Sequence, residues 1–457
     1  MMPRTIPAVA LALAFGCGGS GGGTSGSEST SGPGDTPGPG NASGPGATGS
    51  QTPTPGSSAE ACALATALGK DHLLIGVSAG DAAAVAAPYD LRYLYIAGGI
   101  ADGAGPCTSC DGSCTATNHG ADPPETKPCD NAHGGCAWWG CWQWDQVPPG
   151  DYARGFIGKV KAAGSQIPML TYYALLQSMP GLVWDNEGEP EVLQVEDVSF
   201  MSRYLADWRF LLQQVGNEPA LLHVEPDFWG YAQHHAIENG VACSGIPAAV
   251  ASANPADCGS YPNTLAGMGQ CMIAMARKYA PNAKVGLHAS GWGTRIDVLM
   301  NDDPALDVAG EAGKLGEFLV GCGAGGGDFV VADMSDRDAG YYESRGRDAW
   351  WDPTNATLPH FHQAFTWGQA VAETVGLPLL WWQVPVGNMA QDDTTNHWKD
   401  NRVDYVFGHV SELVASHAVG IAFGAGEGAQ TTPETDGGNL ASRTNAYASG
   451  GGAKLCP

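Results

Sequence analysis

Eight short apolar runs, spaced so that a helix fits between most neighbours, restrict this chain to very few architectures. They lie at 72–78, 91–98, 167–173, 220–225, 283–288, 328–333, 379–384 and 418–423. Runs that are apolar on both faces belong to parallel strands covered by helices, because a sheet with one wet face alternates polar and apolar residues. The stretches between them agree. Phe200, Tyr204, Leu205, Trp208, Leu211 and Leu212 recur at helical spacing, and so do Val403, Val406, Phe407, Val410 and Leu413. Eight repeats of strand then helix predict an α/β fold, a closed (β/α)8 barrel of the TIM type, formed by residues 59–457 as a single domain.

Two interruptions break the pattern. Residues 101–150 hold six cysteines and the tryptophans Trp138, Trp139, Trp142 and Trp144, which predicts a disulfide-rich loop insertion after strand 2. It either walls a cleft or forms a small core of its own. Residues 232–261, with Cys243 and Cys258, read as a second, smaller excursion after strand 4.

Ahead of the barrel, Arg4, an apolar stretch from Ile6 to Phe15 and then Gly16 and Cys17 resemble a lipoprotein-type signal peptide over 1–17, with Cys17 as the lipidated residue. Residues 18–58 are nearly all Gly, Ser, Thr, Pro, Ala and Asn, the composition of a disordered tether. The expected location is outside the cytoplasm, anchored by lipid to the bacterial outer membrane or cell surface, or else secreted. The cysteine count fits an exported chain. Of 13 cysteines, setting Cys17 aside leaves Cys62, Cys107, Cys110, Cys114, Cys129, Cys136, Cys141, Cys243, Cys258, Cys271, Cys322 and Cys456, a set that can pair completely. A zinc site at Cys107 and Cys110 is disfavoured because no second spaced pair accompanies them.

With 47 acidic against 21 basic residues the net charge is −26, a field that repels nucleic acid and anionic membrane surfaces. The expected ligand is neutral or cationic, a polysaccharide or oligosaccharide, with no cofactor, no metal and no membrane contact beyond the lipid anchor. Chemistry-bearing side chains cluster where the strands end. Strand 3 ends Thr171, Tyr172, Tyr173; strand 4 ends Glu225, Pro226, Asp227, Phe228, Trp229; strand 5 runs into His288, Ala289, Ser290, Gly291, Trp292; strand 6 ends Asp333, Met334, Ser335, Asp336. Strand 7 supplies Trp382 and Gln383, and Glu427 follows strand 8. A barrel works at the carboxyl ends of its strands, so this is a candidate site laid out in one dimension.

Two carboxyl groups, one protonated and one ionised, are the minimum apparatus for cleaving a glycosidic bond. Glu225, Asp227, Asp333 and Asp336 are the catalytic candidates. If strand 4 stays regular, Glu225 and Asp227 face the same side. Tyr172, Trp229, His288, Trp292, Trp382, Gln383 and Glu427 are the substrate-binding candidates, since aromatic planes pack on sugar rings while planar polar groups meet the hydroxyls. Asn388 is a further polar candidate, and Arg337 can pair with Asp336 or Asp338.

The Glu225–Pro226–Asp227 segment, followed by a long helix and a strand running into His288–Ala289–Ser290–Gly291–Trp292, resembles the E-P-D and G-H-x-G-W segments of glycoside hydrolase family 6, the endoglucanases and cellobiohydrolases. The resemblance covers roughly 70 residues. It implies that Asp227 lies near the cleaved bond and that His288 and Trp292 bind glucan. The family's acid-bearing L-P-x-R-D-C segment is replaced here by Tyr172, Tyr173, Ala174, Leu175, Leu176 and Gln177, and its K-P-G-G-E-x-D segment by Trp382–Gly387; family 6 barrels also fall short of eight strands.

Two rival readings stay open. Gly76–Val77–Ser78–Ala79–Gly80 matches the G-x-S-x-G of a serine esterase, although it follows the first strand, in a chain with 66 glycines. The other is a barrel lipoprotein that binds glycan without cutting it.

Overall fold

The computed structural model describes residues 55–97, 115–118, 125–128, 142–143, 148–179, 187–426 and 428–456. The eight strands are β1 (Leu74–Val77), β2 (Leu91–Ala97), β3 (Ile167–Tyr173), β4 (Leu221–Val224), β5 (Lys284–His288), β6 (Phe329–Asp333), β7 (Leu379–Val384) and β8 (Ala418–Phe423). Each pairs in parallel with the next along the chain, and β8 returns to β1, with Leu74 opposite Gly420, so the sheet closes into a barrel. The (β/α)8 expectation holds, strand by strand.

The helices fill the connections unevenly. Between β1 and β2 there is only a single turn, Asp81–Ala84. The principal helices are α1 (Pro55–Ala67), α2 (Asp151–Ala162), α3 (Glu189–Gln194), α4 (Val198–Val215), α5 (Phe228–Asn239), α6 (Leu265–Tyr279), α7 (Val308–Gly321) and α8 (Phe361–Val375). In α4 the Asp197 side chain accepts the Phe200 N–H at 2.6 Å and starts the helix, and Phe200, Tyr204, Leu205, Trp208, Leu211 and Leu212 form its buried face. The second helical pattern, around 403–413, forms two helices and not one. Arg402–Gly408 and Val410–Ala415 are separated at His409, whose φ of −134° and ψ of 30° leave the helical region.

The lumen and the helix layer form separate apolar clusters. At the lower, N-terminal end, the first residues of the strands (Leu74, Leu91, Ile167, Leu221, Phe329) pack with Ala61, Leu64, Ala65 and Leu68 of α1, which closes the barrel floor. Each such leucine contributes about 1.5–3 kcal/mol by leaving water. The Cys62–Cys456 disulfide ties this floor to the C-terminal segment across a separation of 394 residues.

Cys243 pairs with Cys322 and Cys258 with Cys271. The excursion after β4 is therefore stapled to α7 and α6, not to itself, and it starts only after α5, because residues 232–239 continue that helix. The cysteines of the 101–150 insertion lie outside the described residues, which include there a two-stranded antiparallel pair, Thr115–Asn118 with Glu125–Pro128. Cys17 also lies outside them.

Candidate active site

The strands end unequally, and the backbone at β4 decides where its acids go. Regular strand geometry stops at Val224; Glu225 has φ of 49° and Asp227 φ of 67°, both in the left-handed region that non-glycine residues seldom occupy. Glu225 and Asp227 therefore do not share one side, contrary to the expectation from a regular strand.

Glu225 is fully buried behind the strands. Its Oε1 accepts the N–H groups of Ala174 (3.2 Å) and Leu175 (3.3 Å) and the hydroxyl of Tyr204 (2.8 Å). Burial pushes its carboxyl up to about 8, against the pull of those donors. Beside it, Asp207 accepts from Tyr172 at 2.8 Å and from the Trp142 indole at 3.2 Å, and burial raises it to about 7. Glu191 of α3 is buried there too, with no hydrogen-bond partner on either oxygen; burial, then the charges of Glu225 and Asp227, hold its carboxyl far above the usual range.

Asp227 lies at the mouth, half-buried, with the Tyr173 hydroxyl 3.5 Å from Oδ2. Burial is the first cause that lifts its carboxyl well above the ordinary value, and the carboxyl groups of Asp333, Glu187 and Asp336 add to it. Asp333, from the end of β6, keeps 25% of its side chain exposed and lies 3.3 Å from His288 Nε2. Asp336 pairs with Arg337 and accepts from Tyr342 at 2.5 Å, so both its oxygens are engaged. Asp338 is not at the mouth. Its carboxylate accepts from the Gly387 and Thr431 N–H groups and ties together the loops after β6, β7 and β8. Arg337 thus serves Asp336 and not Asp338.

Below these acids, the top layer of the lumen is polar and aromatic. Trp382 packs against Tyr95 (5.4 Å between ring centroids), His223 (4.7 Å) and His288 (5.9 Å). Gln383, another left-handed residue with φ of 56°, turns its amide inward to accept from Tyr95. Gly426 permits the loop after β8 to approach this amide, because a Cβ there would overlap Gln383 and the Asp336 carbonyl. Left-handed residues at 225, 227 and 383 concentrate strain at one end of the barrel, as functional sites commonly do.

Several binding candidates lie elsewhere. Trp229 is fully buried in the helix layer, where its indole donates to the Val224 carbonyl at 3.1 Å and its ring packs on Phe228. Tyr172 points outward into the same layer, against Tyr204 and Trp208. Neither reaches the mouth, because Tyr172 alternates to the outer face of β3 and Trp229 already belongs to the first turn of α5, on its buried face. Asn388 is spent on the Asp436 carbonyl and the Ala390 N–H. Trp292 stays half-exposed on the rim, against Tyr231 at 4.7 Å and His234 at 5.1 Å. Glu427 lies outside the described residues.

The structure adds groups that sequence reasoning missed. Glu187 joins the mouth acids and accepts from Tyr231 at 2.6 Å, with burial raising its carboxyl. Its signal was the acidic stretch 185–191 following β3, which the focus on strand ends passed over. His223 was the other, a polar residue inside an apolar strand.

Ser78 lacks the features of a nucleophile elbow. Its backbone continues the ladder, with its N–H bonded to the Phe423 carbonyl at 2.8 Å, and its φ is not positive.

No family model and no curated protein matches the chain. Among solved structures it is similar to the endoglucanase Cel6 from Mycobacterium tuberculosis, at 14% identity over 50% of this chain and 55% of that one, with a TM-score of 0.26. It is similar to a modular endo-β-1,4-mannanase from Cellulomonas fimi, of glycoside hydrolase family 26, at 11% identity over 85% and 74%, TM-score 0.43. A glycoside hydrolase family 5 mannosidase from Rhizomucor miehei matches at 9% identity over 83% and 93%, TM-score 0.43. The chain spans little more than half the length of the Mycobacterium tuberculosis enzyme.

Proposed function

We propose that this barrel is a glycoside hydrolase acting on a polysaccharide through two carboxyl groups, with Asp227 as the acid and Asp333 as its partner. The observation that carries this reading is the state of Asp227. At the mouth, burial and then the neighbouring carboxyl groups of Asp333, Glu187 and Asp336 raise its carboxyl well above the ordinary value, which favours the protonated form. A protonated acid beside an accessible carboxylate is what glycosidic cleavage needs. Asp227 passes its proton to the glycosidic oxygen as the bond from that oxygen to C1 breaks, and Asp333, or a water it activates, attacks C1. Asp336 is tied to Arg337 and Tyr342, which suits a fixed charge and not a reacting group.

Trp292 and Tyr231 on the rim provide aromatic faces for sugar rings, and Gln383 and His288 polar groups for hydroxyls. The resemblance of the 225–227 and 288–292 segments to family 6 favours a β-glucan such as cellulose, in the manner of an endoglucanase or cellobiohydrolase. The exported, lipid-anchored setting belongs to the same proposal: a Cys17→Ser protein is expected to leave the membrane fraction.

The test is reducing-sugar release from soluble β-glucans, xylans and mannans, with Asp227→Asn as control. Release that the control abolishes supports the reading. A protein that binds one of these glycans and releases nothing is a receptor, and a protein that does neither refutes both.

A further inference from the structure

A chain of buried polar groups runs up the lumen and ends on Asp333. Thr171, His223 and His288 come from β3, β4 and β5, and all three are fully buried. Strand register accounts for the first contact, since Thr171 stands opposite His223. Thr171 Oγ1 lies 3.3 Å from His223 Nδ1, His223 Nε2 lies 3.1 Å from His288 Nδ1, and His288 Nε2 lies 3.3 Å from Asp333 Oδ1. The His288 Nε2 contact is out of hydrogen-bond alignment, so this buried nitrogen has no aligned partner and faces the mouth. The Trp382 ring flanks both imidazoles.

Donor and acceptor counting gives the chain a direction. A carboxylate oxygen 3.3 Å away repels a ring lone pair and attracts an N–H, so the nitrogen facing Asp333 is assigned the proton. With His288 as a neutral imidazole, its Nδ1 is then an acceptor, which requires the proton of His223 to be on Nε2. His223 Nδ1 accepts in turn, and Thr171 supplies the hydroxyl donor. Each ring carries one proton, and none is left over. Burial lowers the basicity of His223, which agrees with a single proton on that ring.

Resting on the reading of Asp333 as the reacting carboxylate, we propose that Thr171 and His223 are positioning residues that lock His288 in its Nε2–H tautomer, so that its donor faces the mouth beside Asp333, for a sugar hydroxyl seated there. In the opposite tautomer His288 Nε2 has a lone pair facing a carboxylate, and the donor is lost. Neither positioning residue touches substrate. Their effect passes through His288.

The test reads the tautomer directly, by long-range proton–nitrogen NMR of the histidine-labelled protein, together with kinetics on whichever glycan is cleaved. In the wild type, His223 and His288 are both expected as Nε2–H tautomers. Thr171→Val removes the outermost donor and His223→Leu the middle one; each is expected to give a mixed His288 tautomer and to lower kcat about 10- to 100-fold with KM changed less than about twofold. His223→Gln, whose amide can accept from Thr171 and donate to His288, is expected to restore both readouts. An Nδ1–H tautomer at His288 in the wild type overturns the proposal, as does a Thr171→Val protein with unchanged tautomer and unchanged kcat. If the tautomers appear as expected but no glycan is cleaved, the relay stands and the glycosidase reading falls.

Discussion

Glu225 and Asp227 are two residues apart, yet they belong to two acid-rich regions with opposite logic. Behind the strands, Glu225 and Asp207 are sealed from water, one oxygen of each accepting from a tyrosine hydroxyl and from backbone amides or a tryptophan N–H and the other left unpaired, and burial raises both carboxyls, to about 8 and about 7. At the mouth, Asp227 and Asp333 have solvent access and few fixed partners, and they act on each other. Burial raises the carboxyl in both places. What differs is access to solvent: Glu225 and Asp207 are buried, whereas Asp227 is half-buried and Asp333 keeps 25% of its side chain exposed. A carboxyl sealed among protein groups cannot meet a ligand, whereas one beside water is available to it.

The largest effect that sharpens this contrast is on catalysis. Asp227→Asn and Asp333→Asn are each expected to lower kcat by about 10²–10⁴-fold, with the melting temperature nearly unchanged, as kinetics and thermal melts of the same samples would show. Glu225→Ala should do the reverse. It strands the N–H groups of Ala174 and Leu175 and the Tyr204 hydroxyl in a buried place, for a loss of about 2–4 kcal/mol in denaturant unfolding.

The pH dependence of stability comes next. Glu225 titrates near 8 in the folded chain and near 4.5 when unfolded, and Asp207 near 7 against 3.8. Between those values the native state holds protons that the unfolded state has released. Stability from these groups is therefore fully present below about pH 4 and falls as pH rises through 7 and 8, by up to roughly 1.4 kcal/mol per pH unit for each group, then levels off. Glu225→Gln should flatten the slope, and a chain whose stability rises over pH 5–8 would erase the distinction between the regions. The smallest effect is expected for Ser78→Ala, which should change glycan cleavage less than about twofold.

The barrel was legible because the strands are apolar on both faces, and all eight runs became strands. Asp227, Asp333 and Asp336 were legible at the mouth as well, since a strand's carboxyl end is a place in the fold as well as in the sequence; Glu187, in the connection after β3, was not. The side on which each group falls was not. Positive φ at Glu225 and Asp227 breaks the alternation from which a shared face was inferred, and nothing in Glu–Pro–Asp announces it. Trp229 and Tyr172 looked like sugar platforms because aromatic type does not distinguish a rim position from the helix layer, where both are buried. His223 carried a readable signal that went unused. It is a polar residue at an inward position of an otherwise apolar strand, and burying it requires partners, which Thr171 and His288 provide.

The proposal that follows is that solvent access at the mouth, and not a raised carboxyl by itself, marks the reacting acid. It is tested most directly by measuring kcat/KM for Glu225→Gln and Asp227→Asn side by side on one cleaved glycan near pH 6. Glu225→Gln is expected to keep activity within about tenfold of the wild type while Asp227→Asn loses at least about a hundredfold. Equal losses in the two amides, or a larger loss in Glu225→Gln, would contradict it.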